Sequence, residues 1–113
     1  MNLKRGDVVL MVVPGDLGRP RPGIVVQADE LGDTTTTVLI CPLTSDVRGV
    51  AEPLLRPVIE PAHGNGLRAR SQIMTDKMFA QRRELIRAVV GSIDRETAGR
   101  LNATLLIVLG LAG

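Results

Sequence analysis

The sequence predicts a mainly β protein with one α-helix, arranged as a small, partly closed β-barrel with the helix at its C-terminal end. Three observations carry this. Short apolar and β-branched runs recur at close spacing, separated by Pro- and Gly-rich turns. One stretch near the C-terminus has helical spacing instead. The chain has 113 residues, which suits one compact domain with a modest core, so residues 1–113 are read as a single domain.

The elements follow in order. Asp7 to Val13 reads as a first strand, apolar on both faces as in a strand covered on two sides. Pro14-Gly15-Asp16 stops it, and Gly18-Arg19-Pro20-Arg21-Pro22 continues as a stiff, charged loop. Gly23 to Gln27 is a second strand and Asp29 to Asp33 a polar turn. Thr34 to Cys41 is a third strand, rich in β-branched residues, with Pro42 ending it and Leu43-Thr44-Ser45 at its rim. Arg48-Gly49 is loop. Leu54 to Ile59 is a candidate fourth strand that Pro57 would confine to an edge or a bulge. Pro61 to Gly66 is a strong turn. Leu67 to Thr75 is a candidate fifth strand, with Arg68 and Arg70 on one face and Ala69 and Ser71 on the other. Asp76 to Arg83 reads as short and irregular, with room for one helical turn, and Leu85 to Val90 as a further strand. Asp94 is a plausible N-cap for a helix from Arg95 to Leu109, in which Ala98, Leu101, Leu105 and Val108 share a face. Leu106, Ile107 and Leu109 widen that stripe beyond the need of a lone surface helix. Either a second subunit covers the excess or the last turn packs deeper into its own core.

Composition narrows the function. Hydrophobic residues make up 44% and charged residues 23%, an ordinary globular balance. There is one Phe and no Tyr or Trp, so the core must be aliphatic and base stacking on aromatic faces is not an option. A nucleic-acid site here would rely on Arg, which both stacks and grips phosphate. Net charge is only +2, but 12 of the 14 basic residues are Arg. Between Gly66 and Arg87 lie Arg68, Arg70, Lys77, Arg82, Arg83 and Arg87, against only Asp76 and Glu84. Such a cluster either faces phosphates or is a solvated basic surface. The single Cys41, in an apolar run, excludes an internal disulfide and reads as a buried structural thiol in a reducing cytoplasm. Lys4, Arg5 and Asp7 interrupt any signal peptide, and the apolar tail from Leu101 is too short to span a bilayer. The expected location is cytoplasmic, with no membrane partner.

The usual catalytic sets are missing. His63 is the one histidine and sits in a Gly-rich turn; it does not make a metal set with Cys41, and no P-loop or dinucleotide fingerprint is present. No metal and no cofactor are therefore expected. Arginines and hydroxyls in strand-flanking loops remain, and they suit one reaction. In RNA the 2′-hydroxyl can attack its own neighbouring phosphate, so the substrate brings the nucleophile. The protein then needs only to position the strand, move protons and stabilise an extra negative charge, a task for the forked guanidinium. The residue types permit RNA cleavage without demanding it.

Several segments carry a resemblance. Lys4-Arg5-Gly6-Asp7-Val8-Val9-Leu10, Gly18 to Gln27 (G-R-P-R-P-G-I-V-V-Q), Val38 to Ser45 (V-L-I-C-P-L-T-S), Ser71 to Lys77 (S-Q-I-M-T-D-K) and Arg87 to Leu111 resemble, in this order, successive blocks of the MazF/PemK toxins. The resemblance runs in register over nearly the whole chain. It implies an SH3-like, partly closed β-barrel with a C-terminal helix, usually a homodimer. It also implies metal-independent cleavage of single-stranded RNA at short sequences, leaving a 2′,3′-cyclic phosphate and a 5′-hydroxyl. A cognate antitoxin would lie over the RNA groove, and DNA becomes a partner through the antitoxin complex. By the same resemblance Arg21 and Thr44 are the catalytic pair, Arg21 acting in proton transfer and in stabilising the phosphorane, Thr44 holding the scissile phosphate. Arg21 as a solvated loop arginine and Thr44 as a turn hydroxyl capping backbone are the alternatives. Arg19, Ser45, Arg68, Arg70, Gln72 and Lys77 are the candidate RNA contacts.

The chain departs from the family pattern in two places. Ser71 stands where many members have an acid, and Met74 where many have arginine, so that block lacks a carboxylate base and a phosphate grip. The first loop is also short. Two rivals follow: a CcdB-like gyrase-binding toxin of the same fold, against which the absence of Trp counts, and a relative that binds RNA or antitoxin without cleaving.

Overall fold

The computed structural model describes residues 1–46 and 55–113. Seven strands and one helix are present among them: β1 (Asp7–Val12), β2 (Pro20–Val25), β3 (Thr37–Thr44), β4 (Val58–Ile59), β5 (Ser71–Ile73), β6 (Phe79–Arg82), β7 (Ile86–Ser92) and α1 (Arg95–Val108). All pairings are antiparallel. The strands form one curled sheet in the order β4-β5-β3-β2-β1-β7, with β6 paired to the first half of β3. The expected partly closed barrel with a C-terminal helix is the fold that forms.

Side-chain alternation sorts the apolar residues into two cores on opposite faces of the sheet. Val8, Ile24, Cys41 and Leu43 meet Leu101 and Leu105 of α1 on one face, while Val9, Met11, Val25 and Ile40 fill the other. The first strand is thus covered on both sides, as its continuous apolar run required.

Prolines were misread at two places that matter for the site. β2 starts at Pro20, not Gly23, so Arg21 lies on a strand opposite Met11 rather than in a loop. The backbone directions explain the tolerance. The Val25 carbonyl accepts from Gly6 N–H at 2.8 Å on the β1 side, and Val26 N–H donates to the Leu39 carbonyl at 3.0 Å on the β3 side. Even-numbered residues therefore face β3, whose pairing stops at Gly23 opposite Pro42. Pro20 and Pro22 point their missing donors past the end of the β2–β3 pairing, where no described residue pairs with them. Pro42 likewise does not end β3, which continues to Thr44. It faces the edge of β3 away from β2, in the gap between β6, whose pairing ends at Ile40 opposite Phe79, and β5, whose pairing begins at Leu43 opposite Ile73.

Other boundaries moved. β5 spans only Ser71–Ile73, so Arg68, Ala69 and Arg70 precede the strand and the expected alternation of faces does not apply to them. β6 was missed, because four residues reading Phe-Ala-Gln-Arg give too little alternation to stand out. β4 is two residues placed directly after Pro57; Arg48, Gly49 and Leu54 lie outside the described residues. Asp94 caps α1 as expected, accepting from Thr97 N–H at 2.8 Å. The helix buries Thr97, Leu101, Thr104 and Leu105, with Ala98 and Val108 half-buried. Leu106, Ile107 and Leu109 stay exposed, which rules out deeper packing of the last turn within this chain. No described helix is long and apolar enough to cross a membrane.

Candidate active-site groove

A groove of about 860 Å3 opens where the ends of β1, β2 and β3 meet the segment leading into β5. Arg21 enters from β2, Thr44 from the end of β3, Ser45 from the following turn and Arg68 from the segment before β5. Four of the eight site residues expected from sequence therefore share one set of walls. Arg19, Arg70, Gln72 and Lys77 do not line it.

Arg21 is engaged. Its Nη2 donates to Asp16 Oδ1 at 3.0 Å and its Nε to Asp16 Oδ2, a bidentate pair across the first loop. The hydrogen bond from Arg21 holds the Asp16 carboxyl below the usual carboxylate range, and Arg19 adds to the effect. The same bond raises Arg21 above its ordinary value. Asp16 was missed by sequence reading. The available signal was an acid five residues before the key arginine in a tight loop, whose turn puts Leu17 at a φ of 56°.

Thr44 makes the local turn contact that was the alternative to a phosphate-holding role. Its hydroxyl oxygen accepts from Asp46 N–H at 3.1 Å, a local turn bond, and this leaves the hydroxyl proton free to donate. Ser71 and Met74 also line the groove. The Ser71 hydroxyl donates to the Ala69 carbonyl at 3.0 Å, so that position serves backbone structure. Gln72, opposite Thr44 in the β3–β5 register, is 6% exposed, and its Oε1 is buried without a hydrogen-bond partner among the described residues.

The basic cluster does not converge on the groove. Arg83 donates to the Gly32 and Thr35 carbonyls, Arg82 pairs with Glu84, and Arg87 donates to the Glu84 carbonyl at 3.1 Å. Arg70 pairs with Glu60 at 3.3 Å, both about 62% exposed. Lys77 ends a 3-10 turn that Arg56 ties down through a bidentate pair with Asp76, 3.0 Å for each bond. That hydrogen bond lowers Asp76 and raises Arg56. The charged groups lining the groove are Arg21 and Arg68 against Asp16 and Asp46, so the described walls are balanced rather than strongly positive. Cys41 is fully buried and burial pushes its thiol up to about 11, which leaves it inert. His63 is exposed in its turn.

The sequence matches the family described as PemK-like, MazF-like toxin of type II toxin-antitoxin system over residues 4–109. The chain belongs to this family. It is 34% identical over 112 residues to the probable endoribonuclease MazF of Mycolicibacterium smegmatis, covering 98% of this chain and 100% of that one. Its fold is similar to a mycobacterial endoribonuclease solved in complex with its cognate antitoxin, with a TM-score of 0.78, 18% identity and 96% of each chain covered. It is also similar to the Mycobacterium tuberculosis toxin MazF-mt6, with a TM-score of 0.76, 16% identity, and 93% and 97% covered. MazF from Deinococcus radiodurans superposes with a TM-score of 0.72, 19% identity, and 97% and 98% covered.

Proposed function

We propose that this MazF-like toxin is an endoribonuclease that cleaves single-stranded RNA at short sequences by transesterification. The supporting observation is one groove that presents a forked guanidinium, Arg21, together with a free hydroxyl proton on Thr44, in a chain of this family. The RNA 2′-oxygen attacks its adjacent phosphorus while the bond to the 5′-oxygen breaks. The 2′-hydroxyl loses a proton and the leaving 5′-oxygen gains one, giving a 2′,3′-cyclic phosphate and a 5′-hydroxyl. No metal or cofactor enters these steps.

Arg21 holds the phosphorane oxygens and Thr44 donates to the same phosphate. A guanidinium stays protonated throughout the working pH range, which suits Arg21 to charge stabilisation rather than to proton transfer. Asp16 is a carboxylate in the same groove, and it is freed to receive the 2′-proton when the phosphate takes its place on Arg21. Arg68 and Ser45 contact the flanking backbone, whereas Gln72 is buried behind the groove and is not placed to read a base. Arg19, Arg70 and Lys77 would meet RNA only beyond the groove.

The protein acts as a homodimer, and the exposed Leu106, Ile107 and Leu109 are aliphatic surface suited to burial by a second copy. A cognate antitoxin neutralises it, a reading supported by the mycobacterial relative solved with its antitoxin; DNA is contacted only through that complex. The non-cleaving alternative draws on Ser71 and Met74, which give the groove neither carboxylate nor cation.

The decisive experiment incubates the purified protein with a long unstructured RNA in EDTA, beside Arg21→Ala. Cleavage by the parent alone, with 2′,3′-cyclic phosphate ends, is expected. 5′-phosphate ends would contradict the mechanism, and a folded parent that leaves the RNA intact would favour the binding-only reading.

A further inference from the structure

The groove wall that carries Arg68 is held by a residue outside the groove. Asn65 is 5% exposed, and its side chain makes three bonds to its own loop. Its Oδ1 accepts from Ala62 N–H at 3.2 Å and from Leu67 N–H at 3.0 Å, and its Nδ2 donates to the Glu60 carbonyl at 2.9 Å. One buried amide thus closes the backbone from Glu60 to Leu67 into a fixed shape. The loop is also clamped to β7. Ser92 N–H donates to the Gly64 carbonyl at 2.8 Å. A Cβ on Gly91 would lie 2.3 Å from that carbonyl oxygen, and one on Gly66, whose φ is +70°, would lie 2.5 Å from the Val90 carbonyl oxygen. Both glycines are needed for so close a backbone approach. Arg68 follows one residue after this fixed segment. Among the described residues it has no ion pair or hydrogen bond, in contrast to Arg21 and Arg70.

We infer that Asn65 is a positioning residue for RNA binding: it fixes the backbone from which Arg68 grips a phosphate, so that the cation is aimed without a carboxylate to hold it. A guanidinium tied to an acid must exchange that partner for phosphate. One aimed by its backbone does not, and keeps its full charge for the substrate. The inference rests on the RNA-binding reading above.

The test is the salt dependence of binding to a 2′-O-methyl RNA oligonucleotide of mixed sequence, which lacks the nucleophile and stays intact. Removing one cation from a phosphate lowers the slope of log K against log salt by about 0.7 for a single strand. Arg68→Ala should lower the slope by about that amount. Asn65→Ala should lower it equally, and the double variant should show no further drop, because both changes abolish the same phosphate interaction. Asn65→Asp keeps acceptors for Ala62 and Leu67 N–H and should retain most of the parent slope; Asn65→Ser, too short to reach the Glu60 carbonyl, replaces Asn65→Ala in the cycle if the latter fails to fold, with the same loss of slope expected. A slope at the parent value in a folded Asn65→Ala, or additive losses in the double variant, would overturn the positioning role. If the parent itself does not bind the oligonucleotide, the RNA-binding reading fails instead.

Discussion

The two walls of the groove hold their arginines by different means. On the β2 side the side chain itself is held: Arg21 forms a fork-to-fork pair with Asp16, across a loop that is otherwise exposed. On the β5 side the backbone is held instead, by the buried Asn65 and the close packing on β7, while the Arg68 side chain is left unpaired among the described residues. The first wall couples its cation to a titratable group; the second couples it to covalent geometry and neutral hydrogen bonds. Salt and acid should therefore act on the two walls unequally. The Arg21 wall is suited to charge that develops during reaction, because its anion can yield to a stronger one. The Arg68 wall is suited to charge that is already present on the substrate.

The largest effect that would break this comparison is expected at Arg21. Arg21→Ala should lower kcat by about 100- to 1000-fold, the range for removing one donor aimed at developing charge. Arg21→Lys should recover little, since an ammonium cannot reproduce the fork. Both variants should remain folded by circular dichroism, because Arg21 is 46% exposed in its side chain. If Arg21→Lys cleaves at the parent rate, a point charge suffices and the fork geometry is irrelevant. Thr44→Val keeps shape and removes the hydroxyl. The loss of one hydrogen bond to a charged group predicts a fall of roughly 10- to 100-fold in kcat/KM.

Asp16 sharpens the comparison through pH. Its pKa in the free protein is lowered, chiefly by the Arg21 hydrogen bond, so the carboxylate stays ionised as pH falls through the usual range. Any acid limb that it produces in kcat/KM must lie below about 4, the ordinary aspartate value. A group lowered on folding also contributes stability above its unfolded pKa, and that contribution is lost as pH drops through the lowered value. Asp16→Asn should abolish the acid limb and lower kcat, yet bind the 2′-O-methyl oligonucleotide more tightly, because the competing anion is gone. Unchanged kcat with unchanged affinity would show that the pair is incidental.

These contrasts also show what the sequence could reveal. The strands that hold the site were legible where burial is two-sided or β-branched, as in Val8 to Val12 and Val38 to Cys41, since a continuous apolar run has few other uses. The helix and its Asp94 cap were legible for the same reason, capping chemistry being local. Arg21 and Thr44 were reached through family resemblance, and their shared groove follows from β2 and β3 being neighbours in the sheet. What failed was proline and long-range pairing. Pro20, Pro22 and Pro42 read as breaks because a local rule cannot know where the missing donor points: past the end of the β2–β3 pairing for Pro20 and Pro22, and into the gap between β6 and β5 for Pro42. The Arg21 pairing with Asp16 was hidden because a loop's shape, not its composition, decides which charges meet. The basic run from Arg68 to Arg87 looked like one patch but is divided among three places, since β6 and the turns around it carry Arg82, Arg83 and Arg87 away from the groove.

The smallest effect tests that last division. Arg70 lies two residues from Arg68, and a sequence reading gives them equal standing. In the fold Arg70 lies outside the groove lining and pairs with Glu60 at an exposed site, where a surface ion pair contributes at most about 1 kcal/mol. Arg70→Ala should therefore change the melting temperature little and kcat/KM by less than about threefold, while Arg68→Ala weakens binding. Equal losses from the two substitutions would mean that the RNA path extends past the groove onto the Glu60 side. The Arg68 wall would then be one part of a broader basic surface, and the contrast between a held side chain and a held backbone would lose its functional meaning.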